Sequence, residues 1–148
     1  MRLEDEIKQL KFRNEYHKLA VNILYTNSWL LKNQTKLFFK YNITWNQYNI
    51  LRILRGQYPL PATINLLKER MLDKMSDASR LVERLRVKGL VIRDISSEDR
   101  RRVDVIISEK GLKLLSEMDK LNEKFDSLFE KLSSPEAKKL NELLDKMR

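Results

Sequence analysis

The chain has 148 residues, of which 42% are hydrophobic, and its formal net charge of +9 favours a polyanionic partner for a single folded domain. The sequence contains no cysteine and one histidine, His17, which excludes disulfides, thiolate catalysis and a histidine-rich metal site, and no motif predicts a cofactor. It also lacks an apolar run of about 18 residues and a signal-peptide pattern, so we expect a cytoplasmic protein with no membrane partner.

Residues 4–40 contain no Pro or Gly, and this pattern predicts one long helix. Two apolar stripes at spacings of three and four give this helix a wide apolar face, which indicates packing against a second subunit. We interpret His17 as a residue of a packed seam. Four aromatic residues could line a small-molecule pocket, although core packing is the simpler interpretation: Tyr16, Tyr25, Trp29 and Trp45.

Two shorter helices are predicted next, from about Trp45 to Arg55 and from about Ala62 to Leu72. Thr44 is a good N-cap for the first, and Gly56 is expected to end it. A rigid connector that contains Pro59 and Pro61 separates the two helices. Their expected buried residues are Tyr48, Leu51 and Leu54 in the first helix and Ile64, Leu67 and Met71 in the second.

A fourth helix is predicted after a very short turn, with Asp73 or Ser76 as its N-cap and its end at Gly89. One side is apolar, with Ala78, Leu81, Val82 and Leu85, and the opposite side carries Ser76, Arg80 and Arg84 at spacings of four. Two short helices joined in this way form a helix-turn-helix, whose second helix is sized to enter a major groove, where Arg reads guanine.

The stretch that follows predicts a β-hairpin with strands at Leu90–Ile95 and Arg102–Ile107. The connecting loop, residues 96–101, has no Gly, so it is longer than a tight two-residue turn. Its tip carries Asp99, Arg100, Arg101 and Arg102. A tip of this charge could insert into a narrow minor groove of DNA. The alternative interpretation is a charged loop exposed to solvent. Because a helix-turn-helix precedes it, we interpret the hairpin as the wing of a winged helix.

Two more helices are predicted after the hairpin. Ser108 should cap a helix that reaches about Leu132, with a coiled-coil-like seam, and Ser134, Pro135 and Glu136 should start the last helix. The seam comprises Leu114, Met118, Leu121, Phe125, Leu128 and Leu132, and the last stripe Leu140, Leu143, Leu144 and Met147. Residues 112–148 carry eight basic and eight acidic side chains, so this region predicts packing and not polyanion binding. A dimer built from both chain ends follows.

The chain resembles the MarR family of bacterial winged-helix transcription regulators over almost its whole length. Each matching piece is weak alone, but their order and spacing make the resemblance specific. The pieces are Ile43–Tyr48 with Leu51 and Leu54, Leu67–Met71, Ser79–Leu85, Lys88–Val91 with Arg93, Asp99–Arg101, and Val105, Ile107, Ser108, Lys110 and Gly111.

The resemblance implies a mainly α fold with a small β-hairpin wing, in which a winged helix-turn-helix lobe at residues 41–107 is flanked by dimerisation helices at residues 4–40 and 108–148. It also implies a homodimer that binds double-stranded DNA at a roughly palindromic operator, usually as a repressor.

The family's DNA contacts carry over to two places. On the recognition helix the candidates are Ser76, Asp77, Ser79, Arg80 and Arg84. In the wing, Arg101 would enter the minor groove, Asp99 would pair with a neighbouring Arg and hold the loop, and Arg100 and Arg102 would be phosphate-side or structural. Asp77 would stabilise the helix N-terminus or accept from a cytosine amino group, and we favour the first role.

Several alternatives remain at this point. The lack of Cys excludes the family's peroxide-sensing thiol, which leaves an aromatic or phenolic effector or none. A winged-helix adaptor that binds protein and not DNA is supported by Asp77 and Glu83 on the recognition helix. An enzyme is not supported, because no nucleophile–base pair, metal cluster or nucleotide loop is present in the sequence.

Overall fold

The computed structural model describes residues 2–99 and 101–148, which form eight α-helices and a small antiparallel sheet. None of the described helices is both long enough and apolar enough to cross a membrane. The chain divides into two compact units, one ending at Tyr48 and the other spanning Asn49–Arg148. The elements are α1 (Leu3–Ile7), α2 (Glu15–Phe38), α3 (Trp45–Gln57), β1 (Ala62–Thr63), α4 (Ile64–Arg70), α5 (Ala78–Val87), β2 (Val91–Ile95), β3 (Val103–Ile107), α6 (Glu109–Met118), α7 (Asn122–Asp126) and α8 (Ser134–Met147).

In the first unit, the prediction of one helix over residues 4–40 is wrong. Lys8 takes a left-handed conformation with φ of 54° and ends α1. A new helix starts at Asn14, whose side-chain oxygen accepts the backbone N–H of His17 at 2.9 Å. Tyr25 on α2 donates to Glu6 on α1 at 2.8 Å, so side chains hold the two helices together across the break.

The aromatic residues of the first unit differ in their burial. Phe38 is buried, and its ring centroid lies 4.7 Å from that of Tyr48. The ring of Trp45 stacks on Phe38, with centroids 6.1 Å apart, and is tilted against Tyr48 at 5.6 Å. Core packing is therefore confirmed for Trp45. It is wrong for Tyr16, which is 82% exposed. His17 is half-buried, edge-on to the ring of Phe12.

The helix α3 follows the predicted start but continues further. Thr44 Oγ1 accepts the N–H of Gln47 at 3.2 Å, and Gln47 Oε1 accepts the N–H of Thr44 at 3.1 Å, a reciprocal cap. Gly56 lies inside the helix and does not end it. The predicted burial of Leu51 and Leu54 is confirmed.

The predicted helix at residues 62–72 is shorter than expected because its first residues form a strand. Ala62 and Thr63 make β1, which pairs with β3. Thr63 Oγ1 then accepts the N–H of Leu66 at 3.1 Å and caps α4. Met71, in an extended conformation, ends the helix and is buried.

The sheet has the order β1–β3–β2, with all pairs antiparallel. The predicted hairpin is confirmed, with Val91 opposite Ile107 and Ile95 opposite Val103. Val105 and Ile107 are buried, as the alternation of β3 predicts. The additional strand, β1, was not predicted.

After the sheet, Ser108 Oγ accepts the N–H of Gly111 at 3.0 Å and caps α6 as predicted. Gly111 is closely packed, since a Cβ there would lie 2.3 Å from the carbonyl oxygen of Leu90. The prediction of one regular helix to Leu132 is wrong, because 3₁₀ turns at Asp119–Leu121 and Ser127–Phe129 interrupt it. At the first interruption, Asp119 accepts a bidentate pair of hydrogen bonds from Arg55 on α3, at 2.8 and 3.0 Å.

The last helix begins one residue earlier than predicted. Ser133, and not Ser134, is the N-cap, in a capping box with Glu136. The hydrogen bonds from Ser133 lower the pKa of Glu136. Leu140, Leu143 and Met147 remain 46–52% exposed, so the apolar stripe of α8 is not covered within its own unit.

Candidate nucleic-acid interface

The helix α5 has the two-sided character expected of a recognition helix. One face of α5 is anchored against the rest of the second unit, because Ala78, Val82 and Leu85 are fully buried. The side chains of Ser79, Arg80 and Arg84 are exposed on the helix. Because the buried face fixes the rotation of α5, these three side chains are presented to solvent together.

The helix starts at Asp77, and the predicted starts at Asp73 and Ser76 are wrong. Asp77 Oδ1 accepts the N–H of Arg80 at 3.1 Å, the geometry of an N-cap. Its carboxylate also lies at the positive end of the helix dipole. The carboxylate is thus engaged by its own helix, in agreement with the first of its two predicted roles.

The turn before α5 is longer than predicted and is organised by Asp73. Oδ1 of Asp73 accepts the N–H of Met75 at 3.0 Å, and Oδ2 accepts the hydroxyl of Ser76 at 2.6 Å. The side chain of Asn49 on α3 accepts the N–H of Leu72 at 2.9 Å. Ser76 therefore lies in the turn and does not share the helical row of Arg80 and Arg84.

Lys74, which follows Asp73 in this turn, binds the end of α4. Its ammonium group donates to the carbonyl oxygens of Lys68 and Glu69. These carbonyls are at the carboxyl end of the helix, where a cation is stabilising. Lys74 thus closes α4 and is not a cap of α5.

In the wing, Asp99 holds the loop through backbone hydrogen bonds. Its Oδ1 accepts the N–H of Arg101 at 2.9 Å, and its carbonyl oxygen accepts the N–H of Arg102 at 2.9 Å. The N–H of Ser96 donates to the carbonyl of Arg102 at 2.8 Å, which closes the loop at its base. The predicted loop role of Asp99 thus has a geometric basis, but the bond is to a backbone N–H and not to an arginine side chain. Arg100 lies outside the described residues.

The two described arginines of the wing tip differ in their surroundings. The guanidinium of Arg102 lies 3.0 Å from Asp104 and 3.6 Å from Glu98. The hydrogen bond to Asp104 is the main cause of the raised pKa of Arg102. The side chain of Arg101 is exposed and has no partner among residues 2–99 and 101–148. Arg102 therefore stabilises the strands, and Arg101 is the available cation among the described residues of the tip.

A charged cluster that the sequence reasoning missed joins α5 to β2. Glu83 accepts hydrogen bonds from Arg86 at 2.8 and 3.0 Å and from Arg93 at 3.3 Å. The bond from Arg86 is the main cause of the lowered pKa of Glu83. The cluster borders an open cavity of about 500 Å³ whose other walls are Asp94, Ile95 and Val103. The i, i+3 spacing of Glu83 and Arg86 could have indicated the ion pair between these two residues from the sequence.

Among the described residues of the second unit, exposed arginines without an ion-pair partner lie on α5, at Arg80 and Arg84, and on the wing, at Arg101. An arginine on a helix can bind guanine edges in a major groove, and an arginine on a hairpin tip can enter a narrow minor groove. In the same described part, no group of three or more acidic or histidine side chains is placed to hold a metal ion.

Comparisons with known proteins agree with this arrangement. A model of the MarR family matches residues 43–103. The HTH-type transcriptional regulator MgrA of Staphylococcus aureus is 31% identical over 140 residues, which are 95% of this chain and 88% of that protein. Among solved structures, a MarR variant from E. coli complexed with operator DNA has a TM-score of 0.81 at 23% identity, with 93% of this chain and 99% of that chain covered. An organohalide-sensing transcriptional regulator in its 2,4-dichlorophenol-bound form has a TM-score of 0.84 at 21% identity, with 97% and 83% covered.

Proposed function

Since this chain belongs to the MarR family of DNA-binding transcriptional regulators, we propose that it acts as a homodimeric repressor on a roughly palindromic operator. The observation that carries the proposal is the set of unpaired arginines on α5 and the wing, Arg80, Arg84 and Arg101, within the described residues of one compact unit. Two copies of this unit, related by a two-fold axis, would read two half-sites of such an operator.

The contacts are divided between the grooves. Arg84 and Arg80, with Ser79, read base edges and phosphates in the major groove from the exposed face of α5. Arg101 enters the minor groove, where negative potential is concentrated. Ser76, Asp77, Asp99 and Arg102 act by shaping the turn, the helix start and the loop, since their polar groups are bonded within the chain.

The homodimer is supported by apolar surface that each unit leaves uncovered. Leu24 of α2 is 69% exposed, and Leu143 of α8 is 52% exposed in the single chain. Rows of exposed Leu on amphipathic helices are typical of subunit interfaces. We propose that both helices are covered by a second copy of the chain.

We further propose that an aromatic or phenolic ligand relieves repression. The bound 2,4-dichlorophenol of the organohalide-sensing neighbour is one such compound. In the first unit of this chain, the side-chain oxygen of Gln34 is buried and has no hydrogen-bond partner among the described residues. Gln34 precedes Phe38, a member of the aromatic cluster, by one turn of α2, so both residues lie on the same face of that helix. A phenolic hydroxyl would satisfy this acceptor, and a melting-temperature rise with phenols that is lost in Gln34→Leu would test the proposal.

The DNA proposal is tested by selecting bound duplexes from a random pool and measuring affinity for the selected operator. Arg101→Ala and Arg84→Ala should each lose about 1–3 kcal/mol of specific binding. Lys138→Ala removes an exposed cation of α8 and is the matched control. Failure to enrich any sequence, or equal losses in all three variants, would contradict the proposal.

The protein-binding adaptor is the weaker candidate. It was favoured by the acidic residues Asp77 and Glu83 on the recognition helix. Both carboxylates are bonded within the chain, Asp77 to its own helix and Glu83 to Arg86 and Arg93, so they are not free to receive a basic partner.

A further inference from the structure

The connection between α5 and β2 is held by contacts on both sides. The two elements are joined by Lys88, Gly89 and Leu90, with Gly89 in a left-handed conformation at φ of 72°. Ser108 donates to the carbonyl of Gly89 at 2.7 Å, and Lys110 donates to the carbonyl of Lys88 at 2.9 Å. These bonds fix the connection from the side of α6.

On the other side, Glu83 forms a polar link between α5 and the wing. Its Oε2 accepts from Arg93, ten residues further along the chain on the wing's first strand. The same carboxylate accepts two hydrogen bonds from Arg86, which restrains its rotamer. Arg93 pairs with Val105 in the sheet, so its backbone is fixed by the ladder.

The negative charge of Glu83 is unexpected on a helix proposed to bind DNA. An acidic side chain between Arg80 and Arg84 on one side and Arg86 on the other repels phosphate, so charge alone would make its loss raise the affinity for any duplex. Glu83 and Arg93 are 43% and 38% exposed, so solvent screens the pair and its contribution to folding is small. Neither charge balance nor stability accounts for an acid at this position.

We propose that Glu83 is a positioning residue for DNA recognition, which fixes the direction of the wing relative to the recognition helix. This inference rests on the proposed function, because it assumes that α5 and the wing tip contact one duplex together. A correctly directed wing lets Arg101 and Arg84 bind the same half-site, and a loosened wing binds at an entropic cost. Specific binding needs this geometry, whereas non-specific binding depends on charge alone.

The test compares Glu83→Gln with Glu69→Gln, which removes an exposed acid of α4 that makes no side-chain ion pair among the described residues. Affinity is measured for the selected operator and for a scrambled duplex of equal length, over a range of salt concentrations. For Glu83→Gln we expect operator affinity to fall about threefold to fivefold while scrambled-duplex affinity rises. For Glu69→Gln, both affinities should stay level or rise together. Unfolding curves verify that both variants fold.

A second comparison identifies the partner of Glu83. In an Arg93→Gln background, Glu83→Gln should cause no further fall in operator affinity, because the link is already broken. The inference is overturned if Glu83→Gln raises both affinities as Glu69→Gln does, or if its effect is unchanged in the Arg93→Gln background. A wild-type protein that does not distinguish operator from scrambled DNA would overturn the proposed function itself, a result that is distinct from either of these.

Discussion

Asp77 offers a sharp test of how α5 begins. Asp77→Ala removes the side-chain acceptor of the Arg80 N–H, a 3.1 Å hydrogen bond at the start of a helix of ten residues. Loss of an N-cap costs about 1 kcal/mol, and loss of an acid at the helix N-terminus adds about 0.3–1 kcal/mol. We therefore expect a total destabilisation of about 1–2 kcal/mol for Asp77→Ala. Asp77→Ser keeps an acceptor and should lose only the smaller, charge-dependent part.

The measurement is chemical unfolding of the two variants and the wild type, together with DNA selection for each. As a capping residue, Asp77 should be replaceable by Ser with no change in the selected sequence. If Asp77 instead accepts from a cytosine amino group, Asp77→Ser would relax the preference at one base pair by about 1–3 kcal/mol. A change in base preference for Asp77→Ser, or equal stability of the Ala and Ser variants, would refute the capping argument.

Three further predictions concern packing, the wing and pH. Gly111→Ala should destabilise the fold by about 1–3 kcal/mol, because its Cβ would meet the Leu90 carbonyl. Gly56→Ala should stabilise the fold by about 0.5–1 kcal/mol, because Gly56 lies in α3 with open space around it. Unfolding curves measure both changes. Arg101→Ala should reduce the salt dependence of operator binding by about one counterion. Because Arg55 lowers the pKa of Asp119, the stability that the pair contributes is present above the unfolded pKa of Asp119 and is lost as pH falls through the lowered value; Asp119→Asn should remove that acid dependence.

The sequence was most informative where short-range chemistry decides the structure. Thr44 and Ser108 were predicted as N-caps, and each accepts the expected backbone N–H three residues on. The wing strands were predicted to within one residue, since alternation of Val and Ile with charged residues has few other solutions. The buried face of α5 followed from helical spacing alone.

The helix breaks were missed because they lack the residues that normally mark them. Lys8 takes a left-handed conformation without being Gly or Asn, and Asn14 was overlooked as a cap within a segment that had no Pro or Gly. The strand β1 is two residues long, and pairing with β3 across more than forty residues of sequence forms it. Neither feature can be obtained from periodicity, because a two-residue element has none.

The polar links between elements were also beyond the sequence. Arg55 and Asp119 are 64 residues apart and meet only because α3 and the end of α6 pack together. Glu83 and Arg93 are closer in sequence, but their contact depends on the turn at Gly89. A pattern of charges predicts that such residues are exposed, and only the tertiary structure determines which of them pair.

The strand order β1–β3–β2 leaves β2 with a single neighbour in the described part of the chain, so one side of its backbone is open to strand addition. Ile92 and Ile95 on this strand are 57% and 63% exposed, a composition that favours edge-to-edge association of wings from different molecules. Two charged residues, Arg93 and Asp94, lie between them and oppose this association. A second copy of the strand, in either antiparallel or parallel register, would bury these charges or place them next to each other. Arg93 and Asp94, which also line the open cavity beside Glu83, therefore keep the hairpin from acting as a template for aggregation.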